Sequence, residues 1–150
     1  EYKDKVPILV GILKGGFMFL ADLCRSISIP VELDFLAISS YGKEASSSGV
    51  VKIRKDIDLD ITGRDVIIVE DIVDTGLSLQ YIKEYLSKHS PATLKTCVLL
   101  DKPAAHKIDV SFDYVGFEIG NEFIVGYGLD YNEQYRNLPY LGILKEELYK

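Results

Sequence analysis

The residues with the clearest chemical potential lie together in segment 66–79, VIIVEDIVDTGLSL. Glu70 and Asp71 follow an aliphatic run, and Asp74 separates them from a Thr-Gly-x-Ser turn. Hydroxyls and backbone N–H groups at a helix start bind phosphate, and a glycine permits its close approach. Neighbouring carboxylates would repel that phosphate, so they must face hydroxyls or a hard cation such as Mg²⁺. The segment predicts a site for ribose phosphate with magnesium.

Each of these residues also has an ordinary structural interpretation. Thr75 and Ser78 could simply cap a helix, Asp74 could be a capping carboxylate, and the acidic pair could lie on the surface. That alternative is reasonable for any single residue, but it explains the whole run poorly. Similarly, Lys14 alone could be a solvated lysine, whereas Lys14-Gly15-Gly16 at a strand end favours a functional turn.

Strands alternate with helices around these turns. The apolar patterns predict strands at 6–13, 31–38, 50–54, 66–69 and 94–100, helices at 17–26 and 77–88, and C-terminal strands at 114–119 and 123–126. This order predicts an α/β fold with a mainly parallel central sheet flanked by helices. Such sheets bind ligands beyond the carboxyl ends of their strands. The Tyr-rich, Phe-rich and Gly-rich region at about 102–140 is expected to form a small C-terminal cap over those ends.

Two polar stretches interrupt the apolar pattern. Residues 39–49 are rich in serine and glycine, which predicts a mobile lid loop. Asp56, Asp58 and Asp60 alternate with apolar residues, and a strand edge with acidic groups facing water is expected. A calcium loop is excluded, because Ile61 stands where it would need glycine and Ile67 where it would need a carboxylate.

Length and composition limit the possible classes of protein. A chain of 150 residues with 47% hydrophobic residues can bury about 70% of its unfolded surface, which suits one domain, 1–150. No apolar run reaches the roughly 20 residues of a membrane helix. The net charge of −6 argues against nucleic-acid binding. Cys24 and Cys97 suit reduced thiols and a cytoplasmic location. The chain begins at Glu1, so part of the N-terminus is expected to be missing.

Segment 66–79 resembles the phosphoribosyl pyrophosphate motif of the type I phosphoribosyltransferases. Lys14-Gly15-Gly16 resembles the pyrophosphate loop of their purine-salvage branch. Three further matches narrow the resemblance to the hypoxanthine-guanine phosphoribosyltransferases. They are Ser40-Tyr41, Asp101-Lys102-Pro103, and Phe123 to Tyr127 continuing through Leu129-Asp130-Tyr131 to Arg136. The resemblance covers nearly the whole chain.

That resemblance implies exchange of pyrophosphate at the anomeric carbon of ribose for a purine nitrogen, with Mg²⁺ and with Asp74 as general base. The implied ligands of ribose 5-phosphate are Glu70, Asp71, Asp74, Thr75, Gly76, Leu77 and Ser78. Those of pyrophosphate are Lys14, Gly15, Ser40, Tyr41 and Arg136. The base would contact Lys102, Phe123, Ile124 and Asp130, and the metal would contact Glu70, Asp71 and Asp130. Ser40 and Tyr41 resemble a pair that closes over the site.

Substrate choice is only partly predicted. The side chain of Lys102 is only a hydrogen-bond donor. It can donate to the carbonyl oxygen of a 6-oxopurine but cannot accept a hydrogen bond from the amino group of adenine. Hypoxanthine, guanine and xanthine remain open, and Phe123 could be a packing aromatic rather than a stacking platform. A related nucleic-acid-binding regulator is an alternative, disfavoured because it would need a basic face. A homodimer or homotetramer is expected if an apolar helix face is exposed.

Overall fold

The computed structural model describes residues 1–40 and 51–150. A six-stranded sheet forms its centre, in the order β3-β2-β1-β4-β5-β6. The strands are β1 (Ile8–Leu13), β2 (Glu32–Ser40), β3 (Val51–Lys55), β4 (Asp65–Val73), β5 (Thr93–Asp101) and β6 (Tyr114–Glu118). All neighbouring pairs are parallel except β2 with β3, which is antiparallel. The predicted mainly parallel α/β fold is confirmed.

Apart from Gly11, β1 is aliphatic throughout, and residues 66–69 of β4 are aliphatic as well, because both faces of the sheet are covered there. Ile8, Leu9, Val10, Ile68 and Val69 are all fully buried. A strand buried on both faces has no polar side to alternate with, so its sequence is a continuous apolar run. This is why the sequence predicts strands at 6–13 and 66–69, although β4 continues beyond its predicted end to Val73.

Two helices cover opposite faces of the sheet. Helix α1 (Phe17–Ser26) joins β1 to β2 and packs Leu20 against Leu9 and Val69. Helix α2 (Leu77–Ser87) joins β4 to β5 and packs against Val10 and Ile68 on the other face, through Leu79, Ile82 and Leu86. The connection from β1 leads outward to β2, and the connection from β4 leads outward in the opposite direction to β5. Because both crossovers are right-handed, the two helices lie on opposite faces of the sheet. Within the described ranges, no helix is long and apolar enough to span a membrane.

The C-terminal region forms a second, smaller sheet of β7 (Ile124–Val125) and β8 (Gly142–Ile143). Short 3₁₀ turns lie at Pro103–Ala105 and Glu146–Leu148. The limits of about 102–140 predicted for the cap differ from this arrangement, because β6 pairs with β5 in the main sheet and β8 lies beyond residue 140. The cap is therefore defined as residues 119–150. Strand pairing depends on a distant partner, so composition could not assign β6 to either sheet.

The acidic stretch after β3 is not the strand edge that its alternation predicted. Strand β3 ends at Lys55, so these residues follow the strand. Asp56, Asp58 and Asp60 are exposed to water, as expected. Buried Asp34 accepts hydrogen bonds at 2.9 Å from the backbone N–H groups of Asp58 and Leu59, which takes this backbone away from strand pairing. Of the predicted lid, Ser39 and Ser40 belong to β2, and residues 41–49 lie outside the described residues.

Candidate active site

The centre of the sheet brings the two glycine-containing turns together. β1 and β4 are adjacent and parallel, but the chain leaves them in opposite directions, which opens a crevice at their carboxyl ends. A Cβ atom on Gly15 would lie 1.9 Å from Oδ2 of Asp71. Only glycine therefore permits this approach, and it sets the Lys14-Gly15-Gly16 turn against the acidic pair. The peptide bond between Leu13 and Lys14 is cis.

Glu70 and Asp71 lie within β4 rather than after it, because the strand continues to Val73. Glu70 is 8% exposed. Its burial, followed by the charge of Asp71, holds the pKa of Glu70 well above its usual value. Burial also raises the pKa of Asp71, although the Ile72 N–H donates to Asp71 Oδ1 at 2.7 Å. A buried acidic pair of this kind is stabilised by a cation or by hydroxyl donors.

A small polar cavity of about 100 Å³ lies where β4 turns into α2. Gly76 begins the helix with φ +88°, a left-handed conformation that glycine adopts at little cost. The Leu77 N–H donates to Oγ1 of Thr75 at 3.3 Å, and the Lys107 N–H donates to the Thr75 carbonyl at 2.9 Å. The lining residues are Glu70, Ile72, Val73, Asp74, Thr75, Gly76, Ser78 and Leu79. Its size and its position at a helix start suit a phosphate group.

A second cavity, of about 170 Å³, adjoins the first and includes residues of the C-terminal cap in its lining. It is lined by Asp71, Ile72, Asp74, Lys102, Phe123, Ile124, Leu129 and Asp130. Ile72 and Asp74 therefore line both cavities. The Lys102 N–H donates to the Val73 carbonyl at 3.0 Å, which holds this lysine beside the end of β4.

Phe123 is fixed within the cap by other aromatic rings. Its ring centroid lies 5.5 Å from that of Tyr131, edge to face, and 5.0 Å from that of Tyr149. It therefore packs within the cap and also lines the larger cavity, so the two sequence interpretations of Phe123 are compatible.

A group of charged side chains lies beside the glycine turn. Arg136 donates to the Gly128 carbonyl through Nη1 at 2.8 Å, and its Nη2 lies 3.3 Å from Asp130 Oδ1. Arg136 Nη2 also donates to Glu133 Oε1 at 3.2 Å, and Lys14 Nζ donates to Glu133 Oε2 at 2.9 Å. A Cβ atom on Gly128 would lie 2.4 Å from the Gly15 carbonyl oxygen, so the two loops are in close contact.

The carboxylates suit magnesium only if a ligand completes its coordination. The described residues contain no group of three or more His, Cys, Asp or Glu side chains placed to hold a metal. Mg²⁺ commonly binds one or two carboxylates together with water and substrate phosphate oxygens. Glu70 and Asp71 are adjacent in β4 and offer two carboxylates of that kind, so the residues present fit this ion when substrate oxygens complete its coordination.

Most predicted site residues lie in these two cavities or beside them. Ser40 ends β2, and Tyr41 lies outside the described residues. Ile72 and Glu133 are not among the residues that the sequence singled out, and Leu129 was named only as part of a matching motif. Ile72 could have been identified from its place between Asp71 and Asp74, since residues 72–76 line the smaller cavity without a break. Nothing in the residue type of Glu133 indicated that it lies beside the site.

The fold and the crevice are those of a phosphoribosyltransferase, and residues 1–132 match the family described as phosphoribosyl transferase domain. Hypoxanthine-guanine phosphoribosyltransferase from Bacillus subtilis (strain 168) is 49% identical over 150 residues, which cover 100% of this chain and 83% of that relative. The enzyme of the same name from Streptococcus pyogenes serotype M3 is 51% identical over 149 residues, covering 99% of this chain and 83% of that relative.

The solved structure of hypoxanthine phosphoribosyltransferase from Staphylococcus aureus has a TM-score of 0.94 and 47% identity. The match covers 99% of this chain and 81% of that chain. The chain belongs to the hypoxanthine-guanine phosphoribosyltransferase family of type I phosphoribosyltransferases.

Proposed function

We propose that this enzyme transfers the 5-phosphoribosyl group of phosphoribosyl pyrophosphate to a ring nitrogen of hypoxanthine or guanine, giving IMP or GMP and pyrophosphate. The bond from the anomeric carbon to pyrophosphate oxygen breaks, a carbon–nitrogen bond forms, and the purine nitrogen loses a proton. The observation that carries the proposal is the pair of adjoining cavities, which share Asp74 and Ile72. One suits a sugar phosphate and the other a planar base.

The smaller cavity would hold ribose 5-phosphate. The turn Thr75-Gly76-Leu77-Ser78 offers backbone N–H groups and two hydroxyls to the phosphate, at the positive end of α2. Glu70 and Asp71 would accept hydrogen bonds from the ribose hydroxyls, which have the donors that a buried acidic pair requires.

The larger cavity would hold the purine. Lys102 would donate to the 6-carbonyl oxygen, Phe123 would stack on the ring, and Ile124 and Asp130 would contact the base edge. Asp74, at the junction with the sugar site, would accept the proton that the purine nitrogen releases. The same junction brings the base close to the anomeric carbon.

Pyrophosphate would leave toward Lys14, Gly15 and Arg136, with Ser40 and Tyr41 as its further proposed ligands. Cations and N–H groups aimed at the departing oxygens stabilise the charge that develops on them. Mg²⁺, held by Glu70, Asp71 or Asp130 together with substrate oxygens, would neutralise further charge on this leaving group.

We also propose a cytoplasmic location and a homodimer or homotetramer. Burial raises the pKa of the Cys97 thiol to about 11, so this group stays protonated, as suits a reduced structural cysteine. Exposed apolar side chains on β6 and the cap, including Phe117, Tyr140 and Ile143, offer a surface that a second copy could cover. Light scattering of the purified protein tests the proposed oligomeric state, and a monomer at all concentrations would contradict it.

The decisive experiment is a transfer assay with phosphoribosyl pyrophosphate and Mg²⁺, run separately with hypoxanthine, guanine, xanthine and adenine. Hypoxanthine or guanine should be converted and adenine should not. Asp74→Asn should lower kcat by about 10² to 10⁴, the usual contribution of a general base, with little change in Tm.

Asp60→Asn is the matched control, because Asp60 is an exposed carboxylate on the loop before β4 that accepts a hydrogen bond from the Thr62 N–H. Absence of transfer to every base, despite binding of phosphoribosyl pyrophosphate, would refute the proposed activity. Full activity of Asp74→Asn would refute only the role of Asp74.

A further inference from the structure

One carboxylate joins the two cations that are proposed to receive pyrophosphate. Glu133 accepts from Lys14 Nζ through Oε2 at 2.9 Å and from Arg136 Nη2 through Oε1 at 3.2 Å. Each of its two oxygens thus bonds a different cation. An oxyanion bridging two cations is also what a bound pyrophosphate would provide, so Glu133 and pyrophosphate require the same partners.

The two cations are held differently. Arg136 is anchored independently of Glu133, through the Gly128 carbonyl and Asp130, and its side chain is 21% exposed. Lys14 and Glu133 are 67% and 64% exposed. Exposed ion pairs are weak because water and salt screen them. The contact to Glu133 can therefore be broken at small cost while Arg136 stays in place.

The loop that carries Glu133 directs its side chain toward the site. Asn132 and Glu133 have φ of +51° and +63°, and the Glu133 N–H donates to Asp130 Oδ2 at 2.9 Å. Left-handed backbone is unusual for glutamate and persists only where surrounding contacts maintain it. The hydrogen bonds from Lys14 and then Arg136 hold the pKa of Glu133 below its usual value, so this group stays ionised.

We propose that Glu133 is an internal competitor of pyrophosphate. Its carboxylate must leave Lys14 and Arg136 before the pyrophosphate group of the substrate binds them, and it returns to them as the product pyrophosphate departs. The inference rests on the proposed function, in which these two cations form the pyrophosphate site. Glu133 weakens substrate binding and favours product release.

Glu133→Gln tests this, because it keeps the shape of the side chain and removes its charge. Glu84→Gln, at an exposed position on α2, causes the same change in net charge away from the site. Calorimetric titration with inorganic pyrophosphate and Mg²⁺ should give a Kd about threefold to tenfold lower for Glu133→Gln, the range expected for two exposed ion pairs. Glu84→Gln should bind like the wild type.

Steady-state kinetics supply a second measurement. The KM for phosphoribosyl pyrophosphate and the inhibition constant of pyrophosphate should both fall by a similar factor, and kcat should not rise. Unchanged or weaker pyrophosphate binding by Glu133→Gln would overturn the proposal, because Glu133 would then be a positioning residue or have no role.

A double-mutant cycle identifies the route of the effect. In a Lys14→Met background, Glu133→Gln should change pyrophosphate affinity less than it does in the wild type, because one of its two partners is gone. An equal effect in both backgrounds would overturn the competition at Lys14. These titrations require no turnover, so they remain informative even if the transfer assay fails.

Discussion

The buried acidic pair links chemistry to stability at the level of individual residues. The folded-state pKa of Glu70 lies well above the ordinary value of 4.5. Between these two pKa values the native state binds more protons than the unfolded state, so the contribution of this group to stability falls as pH rises through that window. Above the folded pKa, the unliganded protein carries the full cost of the buried charge. The site is thus destabilising until a ligand or cation compensates it.

Glu70→Gln should make the unliganded protein more stable and less active. Each kcal/mol of relieved cost raises Tm by about 2–4 °C in a domain of this size. The Tm difference from the wild type should grow as pH rises above 4.5 and should shrink toward pH 4.5, while transfer falls because a charged ligand of the ribose is lost. Thermal unfolding across this range measures it. A Tm difference that does not vary with pH would contradict the proposed cause, and Glu84→Gln provides the control.

The turn between β4 and α2 is the element that orders the phosphate cavity. Gly76 is left-handed, and a Cβ atom there would lie 2.3 Å from Cγ2 of Val110, on the segment between β5 and β6. The backbone bond from Lys107 to Thr75 joins the same two segments. The turn is therefore fixed by tertiary contacts as well as by its own conformation.

Gly76→Ala should be considerably more harmful than the same change at Gly63. Both positions have positive φ, but a Cβ atom on Gly63 would meet nothing within 4 Å. Gly63→Ala should cost about 1–2 kcal/mol for the left-handed conformation alone. Gly76→Ala should cost about 1–3 kcal/mol more through the clash with Val110, and should raise the KM for phosphoribosyl pyrophosphate. Urea denaturation and kinetics separate these effects; equal costs at both sites would mean that the contact with Val110 relaxes freely.

At the level of the whole molecule, the site joins parts that are otherwise separate. β1 and β4 supply the glycine turn and the acidic pair, the segment after β5 supplies Lys102, and the cap supplies Phe123 and Asp130. A substrate that contacts all of them binds only the folded chain. Binding must therefore shift the unfolding equilibrium of the whole domain.

Phosphoribosyl pyrophosphate with Mg²⁺ should raise Tm substantially. At 100 times its Kd a ligand adds about 2.7 kcal/mol, which corresponds to roughly 5–10 °C here. Asp74→Asn should keep most of this shift, because asparagine retains a hydrogen-bonding oxygen at the edge of the phosphate cavity and the proton transfer assigned to Asp74 is not needed for binding. Gly76→Ala should lose much of it. Thermal shift assays with and without a chelator measure both effects. The same shift without Mg²⁺ would contradict the proposed metal.

Much of the fold was predictable because its signals are local. The aliphatic run of β1, the helical spacing of α2 and the glycine turns after both central strands depend on neighbouring residues, and the structure agrees with them. The prediction of a strand edge at Asp56 was wrong for a non-local reason. The backbone N–H of Asp58 donates a hydrogen bond to Asp34, which lies on another strand. The predicted limits of the cap differ from the structure for a similar reason, because β6 pairs with β5 and so belongs to the main sheet.

The sequence by itself determined the class of chemistry. Carboxylates beside a Thr-Gly-x-Ser turn have charges and donors that belong to the residue types, and these predicted a sugar phosphate with a cation. The role of Lys14-Gly15-Gly16 at pyrophosphate was implied by the resemblance to a known family. Only the tertiary structure decided which of these residues lie close together in space. It buries Glu70 enough to raise its pKa, joins two cavities at Asp74, and pairs Glu133 with Lys14 across 119 positions of chain. Burial and ion pairing depend on distance in space, and local sequence patterns do not contain that information.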